Sequence, residues 1–200
     1  MYKLWNELEM NRRIIHFSGV IIPIAYLMGI VSWKFIGVIL FILSLIVLKL
    51  EYVRLYHGFD NIIYDNLTRT YEADSIAGYA LYVIGIFLAW LFYPPIAAIS
   101  GMLMLSVGDP ISGIIGSIEE TDETQWWIVI IMFVTCSFIV LPVTILELGI
   151  SYGIISAIIG SVGAVIVDEF KPRINGQIID DNLTIPLVSG LLITIFTVLF

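Results

Sequence analysis

Seven long apolar runs, over residues 14–32, 35–50, 75–93, 95–116, 126–146, 148–167 and 183–200, leave this 200-residue chain few ways to fold. In hydrocarbon every backbone N–H and C=O must be satisfied within the protein, and a helix does so segment by segment. Crossing a core about 30 Å thick takes about 20 helical residues, so each run reads as a membrane-spanning helix, the short second run and the charged fourth included. Composition agrees: 60% of residues are hydrophobic, against roughly 45–50% in soluble domains. The expected fold class is an all-α integral membrane protein of about seven transmembrane helices, forming a single polytopic domain over 1–200. The first run begins after Arg13, exceeds a signal-peptide h-region and lacks a small-residue cleavage site, so it is expected to stay in the membrane. The single cysteine, Cys136, excludes an intrachain disulfide, and its apolar surroundings disfavour a thiolate nucleophile.

Basic residues in the connections set an orientation. Lys3, Arg12, Arg13, Lys49, Arg54, Arg69, Lys171 and Arg173 fall on one side of the seven-span arrangement and only Lys34 on the other. The positive-inside rule then predicts a cytoplasmic N-terminus and an external C-terminus. Nearly every acid falls on the cytoplasmic side, apart from Glu147 outside and Asp109 within the membrane. The outer connections are a few residues each, so chemistry is expected at the cytoplasmic face. The net charge of −8 is spread among candidate ligands and a loop, and no nucleic-acid partner is expected.

Polar residues that are costly at a membrane surface mark the candidate site. Asp180, Asp181 and Asn182 open the last run, and adjacent carboxylates of this kind suit Mg²⁺, which takes one or two carboxylates together with substrate phosphates. The competing explanation is a solvated N-cap, Asp181 or Asn182 starting the helix with Pro186 in its first turns. Asp109 lies inside the fourth run, where a carboxylate costs on the order of 2.5–3.5 kcal/mol on insertion scales. Gly108-Asp109-Pro110 reads as a helix break and restart whose free N–H groups would bind an anion, with Gly113 and Gly116 allowing close approach of a phosphate or of another helix. Arg12, Arg13 and His16 share about one helical turn and can face a common anion, or serve as ordinary topology anchors. Glu51 and Arg54 have the i,i+3 spacing of an intrahelical salt bridge. The segment Glu119-Glu120-Thr121-Asp122-Glu123 reads as a solvated acidic loop, and the small residues Ser156, Gly160 and Ala164 as close helix packing.

The string Asp180-Asp181-Asn182-Leu183-Thr184-Ile185-Pro186-Leu187-Val188-Ser189-Gly190 resembles the C-terminal motif of the CTP-dependent lipid-alcohol kinases, the dolichol kinase and phytol kinase family. Arg12, Arg13, His16 and Gly19 resemble that family's basic-and-histidine start of the first helix. The pairs Glu51/Arg54 and Arg69/Glu72, the Gly108-Asp109 element with Gly113 and Gly116, and Glu169 ahead of the Asp-Asp-Asn motif follow in the family's order. The resemblance implies transfer of the γ-phosphate of CTP, or of another nucleotide, to the hydroxyl of an isoprenoid alcohol in the bilayer, at the cytoplasmic face. On this reading Asp109, Asp180, Asp181 and Glu169 hold one or two Mg²⁺. Arg12, Arg54, Lys171, Asn182, Gly108, Gly113 and Gly116 contact the nucleotide phosphates. Either His16 or an acid near the metal takes the hydroxyl proton; Asp109 and Asp181 count with His16 as catalytic, and a homo-oligomer is compatible. The family usually places a basic loop where this chain has Glu119 to Glu123. A lipid cytidylyltransferase, a non-catalytic binding protein and a transporter relaying ions through Asp109 are the alternatives.

Overall fold

The computed structural model describes residues 10–57, 68, 72–116, 126–171, 173–174 and 177–200. The helices are α1 (Met10–Ser18), α2 (Ile21–Leu27), α3 (Trp33–His57), α4 (Gly78–Phe92), α5 (Pro95–Leu103), α6 (Asp109–Gly116), α7 (Trp126–Leu148), α8 (Ile150–Phe170) and α9 (Asp181–Leu199). A five-residue π-helical turn, Met104–Gly108, joins α5 to α6. Strands β1 (Arg173–Ile174) and β2 (Gln177–Ile178) pair antiparallel between α8 and α9. The acidic stretch 119–123 and Arg69 lie outside the described residues.

Among the described residues, five helices are long and apolar enough to cross a membrane: α3, the continuous α5–α6 segment, α7, α8 and α9. The chain is a helical, multi-pass membrane protein. Two of the seven expected spans have another form. The run 75–93 becomes the 15-residue α4. The run 14–32 becomes α1 and α2, broken at Gly19 and Val20. Pro23 explains the break, because it has no N–H to return to the Gly19 carbonyl four residues earlier. Gly19 is also required sterically: an ideal Cβ there would sit 1.8 Å from the Tyr82 hydroxyl oxygen.

The expected break at Gly108-Asp109-Pro110 does not occur. The helix passes through it, with the Asp109 N–H bonded to the Met104 carbonyl in the wider i→i+5 pattern. In a regular α-helix the Pro110 ring would meet the carbonyl of Ser106, and the one-residue bulge relieves that clash. The free N–H groups expected at a restarted helix are therefore absent at Asp109.

The segment from Ala97 to Gly108 is buried at every residue, which makes α5 and the π turn the axis of the bundle. They pack against α1, α4, α7, α8 and α9. Close approach sets where α9 begins. An ideal Cβ on Gly85 would lie 2.5 Å from the Asn182 carbonyl oxygen, and one on Gly101 would lie 2.7 Å from that of Pro186. Two glycines on α4 and α5 thus let the first turns of α9 settle against both helices. At the other end of the bundle Tyr26, Trp33 and Trp90 form an aromatic cluster, with the Trp90 indole donating to the Trp33 carbonyl at 3.0 Å.

Candidate functional site

The polar ends of α1, α6, α8 and α9 meet around three carboxylates. One oxygen each from Asp109, Asp168 and Asp181 lies within 4.8 Å of the others. Asp109 is the first residue after the π turn, Asp168 sits near the end of α8, and Asp181 is the first residue of α9. At an effective dielectric constant of about 20, two carboxylates 4.8 Å apart repel by about 3.5 kcal/mol, and three such pairs cost several times the value of a hydrogen bond. A cation offsets that repulsion. Two oxygens on one ion lie no farther apart than twice the bond length, about 4.2 Å for Mg²⁺ and about 4.8 Å for Ca²⁺. The observed spacing fits one hard divalent ion after a small inward movement.

Protein groups flank the centre on two sides. His16 Nδ1 lies 3.3 Å from Asp109 Oδ2, and Lys171 Nζ lies 2.8 Å from Asp181 Oδ2. His16 is only 3% exposed, and its Nε2 has no hydrogen-bond partner among the described residues. The same holds for Asn182 Oδ1, in a residue that is 1% exposed. Buried polar atoms nearly always find partners, and a ligand bound at the carboxylate end of the bundle would supply them for these two. The His16 ring packs on Tyr82, centroids 4.6 Å apart. The Tyr82 hydroxyl donates to the His16 carbonyl and lies 2.6 Å from Ser106 Oγ in the π turn.

The structure sorts the expected metal ligands differently. Asp180 caps α9: its Oδ1 accepts from the Asn182 backbone N–H at 3.0 Å and from Asn182 Nδ2 at 2.6 Å. An N-cap is therefore present, formed by Asp180 rather than by Asp181 or Asn182, and Asp181 alone of the pair joins the carboxylate group. Glu169 is not part of that group either; Asp168 is. Adjacent residues on a helix point about 100° apart, so only one of them faces the centre. The small-residue series Ser156, Gly160 and Ala164, continued by four, arrives at Asp168, and that extension is the signal by which the sequence shows it.

Burial first, and then the neighbouring Asp181 carboxylate, push the Asp180 carboxyl up to about 6, against the two hydrogen bonds from Asn182. An acid held above its unfolded pKa binds its proton more tightly in the native state. Its stabilising contribution is present below about pH 4 and lost as the pH rises through about 6. Asp180→Asn keeps a good cap and removes the charge. The variant is expected to melt at a higher temperature than the natural chain near neutral pH, with the difference gone below about pH 4. Melting curves in detergent at both pH values check this, and an equal gap at both would count against it.

The proposed phosphate contacts divide in the same way. Arg54 is committed elsewhere. It forms a two-pronged ion pair with Glu51, at 3.0 Å from Nε and 2.7 Å from Nη2, and donates to the carbonyls of Glu72, Ala73 and Ser75. The expected i,i+3 salt bridge is present, and it fastens the end of α3 to the segment before α4. Gly108 meets Cys136 Sγ, 2.4 Å from an ideal Cβ, so it serves helix packing. Among the described residues Gly116 faces Ile128, 3.5 Å from its ideal Cβ. Arg12 is partly buried on α1. Lys171 does reach the carboxylates, through Asp181. Gly113 lies under the guanidinium of Arg13, whose Nη1 donates to the Pro110 carbonyl at 3.4 Å.

No family model matches this chain, and no solved structure matches it. An uncharacterized protein of Rickettsia prowazekii (strain Madrid E) is 27% identical to it over 200 residues, 95% of this chain and 95% of that one. The similarity therefore runs nearly end to end in both.

Proposed function

We propose that this protein is a lipid-alcohol kinase that transfers the γ-phosphate of CTP to the hydroxyl of an isoprenoid alcohol at the cytoplasmic membrane face. The observation that carries the reading is the convergence of Asp109, Asp168 and Asp181 at one end of a bundle of apolar helices. Phosphoryl transfer depends on positioning and charge neutralisation, and a water-soluble donor meets a lipid acceptor only at such an end. Mg²⁺ suits this donor set, and when bound it supplies charge neutralisation on the donor phosphates. The three carboxylates hold the ion, His16 orients Asp109, and Lys171 stands beside Asp181 where a phosphate would approach.

In this reading α1 and α2 together make the first of seven spans, and α4 makes the third. At 1.5 Å per residue the 15 residues of α4 reach about 22 Å, which thins the bilayer locally or draws its ends inward. The bias of basic residues supports a cytoplasmic carboxylate end and an external C-terminus. A lipid alcohol then reaches the site laterally, between helices.

The test gives purified protein in detergent γ-labelled CTP, ATP or GTP with Mg²⁺ and a mixture of polyprenols, phytol and diacylglycerol, and follows label into the organic phase. CTP-dependent labelling of a polyprenol or phytol is expected. Mn²⁺ binding, read by its paramagnetic resonance spectrum without nucleotide, is expected at one site and lost in Asp109→Asn. No labelling with any nucleotide, from folded and monodisperse protein, would sink the kinase reading and leave the binding and transport alternatives.

A further inference from the structure

His16 is held by three contacts. Nδ1 lies 3.3 Å from Asp109 Oδ2, the ring packs on Tyr82 with centroids 4.6 Å apart, and the His16 carbonyl accepts from the Tyr82 hydroxyl at 3.0 Å. Tyr82 is fixed in its turn by Ser106 Oγ in the π turn, 2.6 Å away, and by Gly19, where an ideal Cβ would collide with its hydroxyl. The imidazole is therefore aimed. A carboxylate only accepts hydrogen bonds, so the ring hydrogen sits on Nδ1 against Asp109 and the lone pair on Nε2. Nε2 lies across the ring from Asp109, in a residue only 3% exposed, and has no hydrogen-bond partner among the described residues. A buried acceptor without a donor is costly, and an O–H or N–H brought by a ligand removes that cost. The oxygens of a fully ionised phosphate do not, because they too only accept.

We infer that His16 Nε2 receives the hydroxyl of the lipid alcohol, with Asp109 at Nδ1 and Tyr82 against the ring holding the imidazole in place for it. The inference rests on the reading of a lipid alcohol as this protein's acceptor. The neighbours of His16 on α1 favour a lipid-borne hydroxyl over one from a water-soluble ligand. Ile14, Ile15 and Phe17 are exposed, and with α1 in the first span they face acyl chains. One step along the helix thus separates a lipid-facing apolar surface from a buried, unpaired acceptor. An apolar chain lies along that surface while the O–H at its head turns inward to Nε2. Asp109 joins the two halves of the site, because its carboxylate also belongs to the group with Asp168 and Asp181. The arrangement selects for a free hydroxyl: an ether of the same chain fills the same apolar space and has no hydrogen to donate.

The probes are a tritiated polyprenol and its methyl ether, each bound to the full chain in detergent, with Mn²⁺ and CTP binding measured on the same protein. The natural chain is expected to bind the alcohol about tenfold more tightly than the ether, as suits one hydrogen bond to a buried acceptor. His16→Asn puts an amide nitrogen in the place of Nδ1 and leaves nothing in the place of Nε2. It is expected to bind alcohol and ether within about twofold of each other, while its Mn²⁺ and CTP affinities stay within about threefold of the natural chain. His16→Gln, whose amide reaches the place of Nε2, is expected to recover part of the preference, which a change in packing alone does not explain. His16→Phe keeps a ring on Tyr82 and carries the same comparison should the asparagine variant fold poorly. A preference for the alcohol that survives in the asparagine or phenylalanine variant, or that the natural chain never shows, would overturn the inference. So would a loss of CTP or Mn²⁺ affinity with the preference intact, which assigns Nε2 to the nucleotide or to the cation. A preference that depends on His16, in a protein that labels no lipid with any nucleotide, upholds the hydroxyl contact and removes the kinase reading alone.

Discussion

Asp168→Asn is expected to reduce lipid phosphorylation by about two to three orders of magnitude and to weaken Mn²⁺ binding in parallel, while Glu169→Gln leaves both nearly unchanged. The carboxylate of Asp168 shares the 4.8 Å group with Asp109 and Asp181, and Glu169 does not. Asparagine keeps the shape of the side chain and one neutral oxygen, so a loss reports the missing charge. Removing that charge also relieves two repulsive pairs worth about 3.5 kcal/mol each at an effective dielectric constant of about 20. The cation-free variant is therefore expected to melt at or above the temperature of the natural chain. Lost cation binding without lost stability separates a ligand from a structural acid. Full activity in Asp168→Asn, or a loss in Glu169→Gln, would rule out this ligand set.

Glu51→Gln is expected to be the most destabilising of the conservative substitutions considered, at about 3–5 kcal/mol. Glu51 is 3% exposed, accepts both prongs of Arg54, and also accepts the Ala77 N–H at 2.9 Å and the Tyr79 hydroxyl. A neutral amide takes away the carboxylate that both prongs of Arg54 meet and leaves that charge in a site 10% exposed. For a chain of this size the cost corresponds to a fall in melting temperature of about 6 °C or more. The double variant Glu51→Met with Arg54→Met is expected to be milder than the sum of its parts, because a buried pair is costly to break and cheap to remove whole. An unchanged melting temperature in Glu51→Gln would refute the staple. A melting temperature that falls while Mn²⁺ affinity is kept agrees with it, since Arg54 fastens α3 to the chain before α4 and takes no part in the carboxylate group.

The helical, membrane-crossing character of the chain was legible from its apolar runs, because a helix in hydrocarbon satisfies its backbone from its own residues and length is a local property. Run 95–116 coincides with the span Pro95–Gly116, and 126–146 falls within Trp126–Leu148. Asp109 and Asp181 were recognisable as acids costly to place at a membrane, His16 from its place one turn from Arg12 and Arg13, and the Glu51–Arg54 pair from its spacing. What these residues face was not legible. The choice between Asp168 and Glu169 turns on 100° of helix rotation, which the packing of α8 on α7 and α9 decides. The choice between Asp180 and Asp181 turns on which of them caps α9, and the close contacts at Gly85 and Gly101 fix where that helix begins. Gly108-Asp109-Pro110 carries the local marks of a break, yet the π turn keeps the helix whole inside a fully buried segment, where unpaired backbone groups are costly. Arg54 and Arg13 are both basic residues near a membrane surface. One is consumed by a buried carboxylate and the other lies on a glycine one turn from the carboxylate centre, because α3 and α1 end against different neighbours. The sequence by itself determined the helices and the supply of charged groups, through interactions that reach no farther than a turn. The tertiary structure alone decided which of those groups meet, because that depends on the rotation and register of helices far apart in the chain.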